Sequence, residues 1–220
     1  MSDPSFRVIL ADPPWAYQNW TEAKNGAAAT AYADGTMSPA DLALIPVSRW
    51  AHPKGSIMAM WTTWPQMAAA LELARSWGPW EYVSGLPWIK TVPSSGGIAR
   101  GTGFWTMASS EMLLFFRRGK IALDFKGAGL NGPPLGLLHG PRDEPVFWSP
   151  APRRHSEKPL GLHEFLERLT RSRGPYLELF AREARPGWTC WGGDLGFILG
   201  PEGVTEREPA LLPLFDQPNT

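Results

Sequence analysis

Phe6-Arg7-Val8-Ile9-Leu10-Ala11-Asp12-Pro13-Pro14-Trp15 reads as an apolar strand that runs into a carboxylate and two prolines. Proline fixes φ and has no N–H to give to a ladder, so the strand stops at Asp12 and the chain leaves it through a rigid turn. Three further runs, Ser56 to Trp61, Glu111 to Phe116 and Tyr176 to Phe180, have the same apolar character and predict buried strands. Between them, Met67, Leu71 and Ala74, and then Leu162, Phe165, Leu166 and Leu169, repeat at helical spacing. Ser38 with Asp41 has the form of a capping box that opens a short helix. Strands alternating with helices predict an α/β fold, a mostly parallel sheet with helices on both faces. Functional sites in such sheets lie beyond the carboxyl ends of the strands, which directs attention to Asp12 first.

Composition narrows the rest. The chain has 220 residues, 43% hydrophobic and 19% charged, enough for one well-cored domain. Lys+Arg and Asp+Glu both number 21, so no global positive field advertises a polyanion, and any nucleic-acid contact is a local patch. No apolar run is long enough to span a membrane and no secretory leader is evident, which predicts a cytoplasmic protein without a membrane partner. The single cysteine, Cys190, leaves no internal disulfide and no cysteine-based zinc cluster, and the four scattered histidines have no ligand spacing, so no metal is expected. Twelve tryptophans are many for this length; some belong in a core, and others, several of them beside Pro or Gly in loop-like stretches such as Trp15, Trp20, Trp105 and Trp188, could stack on a base. The Gly-, Pro- and Ser-rich stretches 91–105 and 119–154 read as mobile substrate loops. The expected organisation is a domain over 1–200 and a flexible tail over 201–220.

The Asp12 turn suits one demanding chemistry. An aromatic amine such as adenine N6 is a poor nucleophile because its lone pair is delocalised into the ring. A carboxylate and a backbone carbonyl that take its two N–H hydrogens would hold the nitrogen in attack geometry, which is catalysis by positioning. Asp12 and the Pro13 carbonyl fit those roles, Pro14 keeps the turn rigid, and Trp15 offers a flat face for an extruded base. The plainer alternative is a rigid turn in which Asp12 merely caps local backbone N–H groups.

Further segments follow in order: DGTMSPADL, MAMWTT, PWIK, GTGFW with SSEMLLFFRRG, RRHSEKP, and YLELFAREARPGWTCWGGDL. With ADPPW, this succession resembles the DPPW-type adenine-N6 methyltransferase family, which includes the mRNA adenosine methyltransferase and bacterial and phage DNA enzymes, from about Phe6 to Leu195. The resemblance implies a Rossmann-like S-adenosylmethionine-dependent fold with circularly permuted motif order. It implies that Asp12 borders the cofactor, that Glu178, Leu179 and Phe180 line its pocket, and that Arg182 lies near the ribose. It also implies that Gly192, Gly193 and Asp194 sit near the adenine and ribose, and that Arg118 holds the methionine carboxylate. The family's aromatic before TMS is replaced here by Asp34-Gly35, with Tyr32 as the nearest candidate for packing on the acceptor base.

Basic residues suggest where a polyanion would run. Arg153, Arg154, His155 and Lys158 form one cluster, Arg171 and Arg173 another, and Lys90 and Arg100 flank the Gly-rich loop. Each cluster taken alone reads equally as a solvated face; several around one mouth would make a phosphate track. With no appended RNA-binding module evident, DNA is the expected acceptor, ahead of RNA; a catalytically inactive nucleic-acid-binding subunit is the different-class alternative. A homodimer is compatible with the sequence. The tail segment Leu211-Leu212-Pro213-Leu214-Phe215-Asp216 resembles peptides that dock on the replication sliding clamp, although folding back on the enzyme explains it as simply.

Overall fold

The computed structural model describes residues 5–16, 35–92, 94–101, 105–106, 108–124, 147–150, 158–159 and 161–207. Its strands are β1 (Val8–Ala11), β2 (Gly55–Thr62), β3 (Glu81–Thr91), β4 (Ser110–Gly119), β5 (Phe147–Pro150), β6 (Tyr176–Leu179) and β7 (Trp188–Trp191), in one sheet ordered β5-β3-β4-β2-β1-β6-β7. A separate hairpin joins β8 (Phe197–Gly200) to β9 (Gly203–Glu206). The helices are α1 (Pro39–Ala43), α2 (Val47–Trp50), α3 (Met67–Ser76) and α4 (Leu162–Leu169). β1 pairs in parallel with β2 on one side and β6 on the other, and β6 with β7, whereas β4 runs antiparallel to both its neighbours.

Side-chain alternation along β1 sorts the two faces. Val8 and Leu10 pack with Ile57, Trp61, Leu113 and the apolar stripe of α4. Ile9 and Ala11 face the other way, among Met58, Met60, Leu114 and the residues of α1 and α3. An eight-residue helix such as α4 is too short to stand alone in water, so it forms because Leu162, Phe165, Leu166 and Leu169 are buried on the sheet. The Ser38 cap is present: its Oγ accepts the Asp41 N–H at 3.1 Å and donates to Asp41 Oδ2 at 2.6 Å.

Going on from β1, the chain builds the sheet outward through β2, and only later returns to the other flank of β1 as β6. The reversal of strand order therefore falls between β1 and β6, and the crevice beyond their carboxyl ends is where an open α/β sheet binds ligand.

Two expectations about organisation are corrected. The stretch 91–105 is partly built as an extension of the β3–β4 ladder, with bridges Thr91↔Ile98 and Gly101↔Ala108, because backbone pairing satisfies its polar groups despite its glycines. The boundary at residue 200 cuts the β8–β9 hairpin, whose Leu199 and Val204 pack on the core, so the ordered unit continues at least through Arg207. The tail segment 211–216 lies outside the described residues.

Gly192 ties this hairpin region to β6. A Cβ there would stand 2.2 Å from the Ala181 carbonyl oxygen, so the close approach that glycine permits is to neighbouring backbone and not to a ligand. Gly192→Ala should lower stability by about 1–3 kcal/mol, the scale of overpacking, measurable as a lower midpoint in urea. An unchanged midpoint would contradict the packing described.

Candidate active site

Following the alternation of β1, Asp12 projects on the Val8 and Leu10 face, into a cavity of about 640 Å³ lined by Leu10, Trp61, Lys158, His163, Glu178 and Phe180 among others. This volume lies within the range of about 300–1,000 Å³ usual for small-molecule and cofactor sites. Lys158 Nζ stands 2.8 Å from Asp12 Oδ2 and 3.6 Å from Glu111 Oε2, and all three side chains are less than a fifth exposed. Lys90 Nζ reaches the other oxygen of Glu111 at 2.5 Å. The result is a chain of alternating charge, Asp12, Lys158, Glu111, Lys90, seated beside Trp61, over whose ring Lys158 Nζ lies at 5.7 Å. Burial pushes the Glu111 carboxyl up, but the two lysines outweigh it and hold it below the ordinary carboxylate range. A group held low in the fold stabilises above its unfolded value and loses that contribution as pH falls through its folded value.

The turn itself is braced from several sides. The Pro13 carbonyl accepts the Trp15 N–H and the Pro14 carbonyl accepts the Met37 N–H, both at 2.8 Å. Trp15 is a correction to the sequence reading: it is 5% exposed, and its indole N–H reaches the Trp61 carbonyl at 3.4 Å. A buried ring cannot receive an extruded base, so Trp15 locks the turn to β2 and acts only through its neighbours.

On the β6 side, Glu178 and Phe180 line the cavity. Phe180 has φ +63°, a left-handed backbone that is uncommon outside glycine and is often found at functional sites. Leu179 is a second correction; it pairs with Ala11, is fully buried, and packs on the opposite face of the sheet. Glu178 Oε2 meets His163 Nε2 at 2.7 Å, so the polar group in an apolar strand finds its partner within the protein. Arg182 Nε donates to Asp194 Oδ2 at 3.1 Å at the cavity rim. Both residues also border a smaller hollow of about 150 Å³ shared with Pro14, Gly193 and Phe197.

Arg118 is the largest correction. It pairs with Ser56 at the amino end of β2, while Asp12 follows Ala11, which pairs with Met60. The separation along the strands is about 17 Å at about 3.3 Å per residue. Its guanidinium donates to the Ser48 carbonyl at 2.8 Å, away from the cavity. Arg118→Ala should therefore leave cofactor affinity unchanged and cost about 1 kcal/mol of stability, the usual net value of one hydrogen bond. Calorimetry showing a loss of affinity would overturn this placement.

Among the basic residues, Lys158 and Lys90 belong to the internal charge chain and are not open phosphate contacts. Arg100 is exposed on the β3–β4 extension. Arg171 and Arg173 lie just before β6 begins, at the far end of the sheet from Asp12. Tyr32, Arg153, Arg154 and His155 are outside the described residues. Among the described residues no metal-holding group of His, Cys, Asp or Glu is present, and no helix is long and apolar enough to cross a membrane. Sequence reasoning missed Glu111, Trp61 and His163; the signal for Glu111 was a charge at the head of the apolar run 111–116.

A mostly parallel α/β sheet, with its cavity at the switch point beside an Asp-Pro-Pro-Trp turn, has the architecture expected of a Rossmann-like methyltransferase. The MT-A70 family model matches residues 6–194, and the chain belongs to that family. It is 30% identical over 195 residues to the human N(6)-adenine-specific methyltransferase METTL4, covering 87% of this chain and 38% of that protein. It is 28% identical over 202 residues to the type II methyltransferase M.MunI of Mycoplasma sp, covering 85% and 76%. With the N6-methyladenosine RNA methyltransferase MTA1 of Pyricularia oryzae it shares 26% identity over 207 residues, covering 88% and 48%.

Proposed function

We propose that this protein transfers a methyl group from S-adenosylmethionine to N6 of adenine in a nucleic acid, with DNA as the first-choice acceptor. The observation that carries the reading is Asp12, held by Lys158 at the mouth of a cofactor-sized cavity at the sheet's switch point. The lining supports the cofactor: Lys158 suits a carboxylate, the acidic Glu178 and Asp194 suit hydroxyl or ammonium donors, and Phe180 and Trp61 offer apolar surface. When bound, S-adenosylmethionine supplies an electrophilic methyl group carried on a sulfonium.

The chain's own residues do the positioning. Asp12 accepts one N–H of the acceptor amine, and the Pro13 carbonyl, which already takes the Trp15 N–H, has a second lone pair for the other. Lys158 pairs with Asp12 and is the cation we assign to the methionine carboxylate in place of Arg118. Arg182 and Asp194, tied to one another at the rim, would meet the nucleoside part of the cofactor. The likeness to M.MunI favours a DNA acceptor, and the likeness to MTA1 gives an RNA acceptor as the second reading.

Oligonucleotides of one sequence, made as DNA and as RNA and each holding a single adenine, separate the readings when offered with methyl-labelled donor. Label entering the DNA is expected. Label in RNA alone would establish the second reading, and label in neither would remove methyl transfer to adenine.

A further inference from the structure

Among the described residues, nearly every tryptophan is buried or half-buried; Trp64 and Trp105 are the exposed ones, at 57% and 96%. Trp64 does not hang loose. It opens a 3-10 turn directly after β2, and its indole N–H donates to Ser110 Oγ at 2.9 Å. That bond pins the ring at the carboxyl edge of the sheet while leaving most of its surface in water.

Position gives this indole a meaning. β2 lies beside β1, Ala11 pairs with Met60, and Asp12 is accordingly level with Trp61. Trp64 stands three residues further along the chain, in the turn just beyond the carboxyl end of β2. Ser110, which holds it, is the chain neighbour of Glu111, a member of the Asp12 charge chain. Ser110 and Glu111 are adjacent on β4 and so point to opposite faces of the sheet. A strand delivering a base to Asp12 from one side of this edge would lay an adjoining nucleotide across to the other, where Trp64 is fixed. Arg100, exposed on the β3–β4 extension that rises from the same edge, supplies positive charge suited to the backbone of such a strand.

We propose that Trp64 is the stacking platform for a base flanking the acceptor adenine in a single-stranded or locally unpaired segment. This rests on the nucleic-acid reading of the Asp12 site. An indole face stacks on any base, so the platform gives affinity and register with little sequence preference. Pre-ordering by Ser110 means that little side-chain freedom is lost on binding.

The test uses the full chain with Trp64→Ala, Trp64→Phe and Trp64→Leu, on single-adenine oligonucleotides in which each flanking nucleotide in turn is made abasic. Stacking on an aromatic predicts that Trp64→Ala raises the oligonucleotide KM about ten-fold, with kcat and cofactor affinity little changed. Trp64→Phe should recover most of the loss and Trp64→Leu should not. One abasic position should bring wild type to the level of Trp64→Ala and leave Trp64→Ala unaffected. Fluorescence polarisation of labelled oligonucleotide reads the same stacking without turnover. Equal oligonucleotide affinity of wild type and Trp64→Ala, or an abasic penalty identical in both, would overturn the platform. A wild type that binds but transfers no methyl group would overturn the Asp12 reading and leave the platform standing on its binding data.

Discussion

Asp12→Asn should lower methyl transfer on the order of 10³-fold, with cofactor affinity changing by no more than a few-fold. The substitution keeps the shape of the side chain and removes its charge. An amide presents one oxygen and one NH₂ where the carboxylate presented two acceptors, so the amine is no longer held in line, and misplacement on the ångström scale is enough for a loss of about 10²-fold. A further factor comes from the loss of the acceptor group's proton affinity, since acid–base groups contribute about 10²–10⁴-fold. Single-turnover rates with saturating donor and acceptor give the number, and circular dichroism checks that the fold is kept. Turnover within three-fold of wild type would remove Asp12 from the chemistry.

Lys158→Met has the second largest expected effect and acts on two quantities. Cofactor affinity should fall about 10–150-fold, the equivalent of about 1.5–3 kcal/mol for a hydrogen bond to a charged group. The methionine retains the apolar stem over Trp61, so lost packing is a small part of that. Asp12 and Glu111 then face one another without the cation that now lies between them. Glu111 loses one of the two lysines that hold its carboxyl low, so its value rises. The sign is fixed by that rise: the acid limb of the pH–rate profile moves to higher pH, and activity near pH 5 suffers more than activity near pH 8. Isothermal calorimetry and a pH profile of kcat measure the two effects. An unshifted acid limb with unchanged affinity would mean that Lys158 is only a surface cation closing over the cavity.

Much of this was legible in the residues because the deciding elements are long apolar runs. β1, β2, β4 and β6 announce themselves by unbroken hydrophobicity, and α3 and α4 by helical spacing. β3 does not, because Gly85 and Pro87 interrupt it and its pairing with β4 shifts register between Tyr82 and Ser84; the ladder to β4 holds it in place against its local propensity. The β8–β9 hairpin was hidden in a Pro- and Gly-rich segment, where Gly200 and Gly203 flank a tight turn instead of a fraying end.

The errors in the site have one physical source, orientation. A residue placed just after a strand lies at the ligand-binding edge only if the strand runs parallel to β1. β4 is antiparallel, so its last residues, Arg118 among them, emerge at the opposite edge, while its first residues, Ser110 and Glu111, stand at the active one. Leu179 fell on the wrong face by one position in a two-residue period, and Trp15 was turned inward by the same proline pair that makes its turn rigid. Lys158 was recognised as basic but not as internal, since nothing local says that Asp12 and Glu111 will close around it.

The Asp12 site is proposed to place a methyl group on the exocyclic amine of adenine. Incubation with methyl-deuterated S-adenosylmethionine and adenine-containing DNA or RNA, digestion to nucleosides and mass spectrometry test it directly. Labelled N6-methyladenine nucleoside with wild type, and none with Asp12→Asn, is the predicted result. Label on cytosine or on a ring nitrogen of adenine, or equal label with Asp12→Asn, would contradict it.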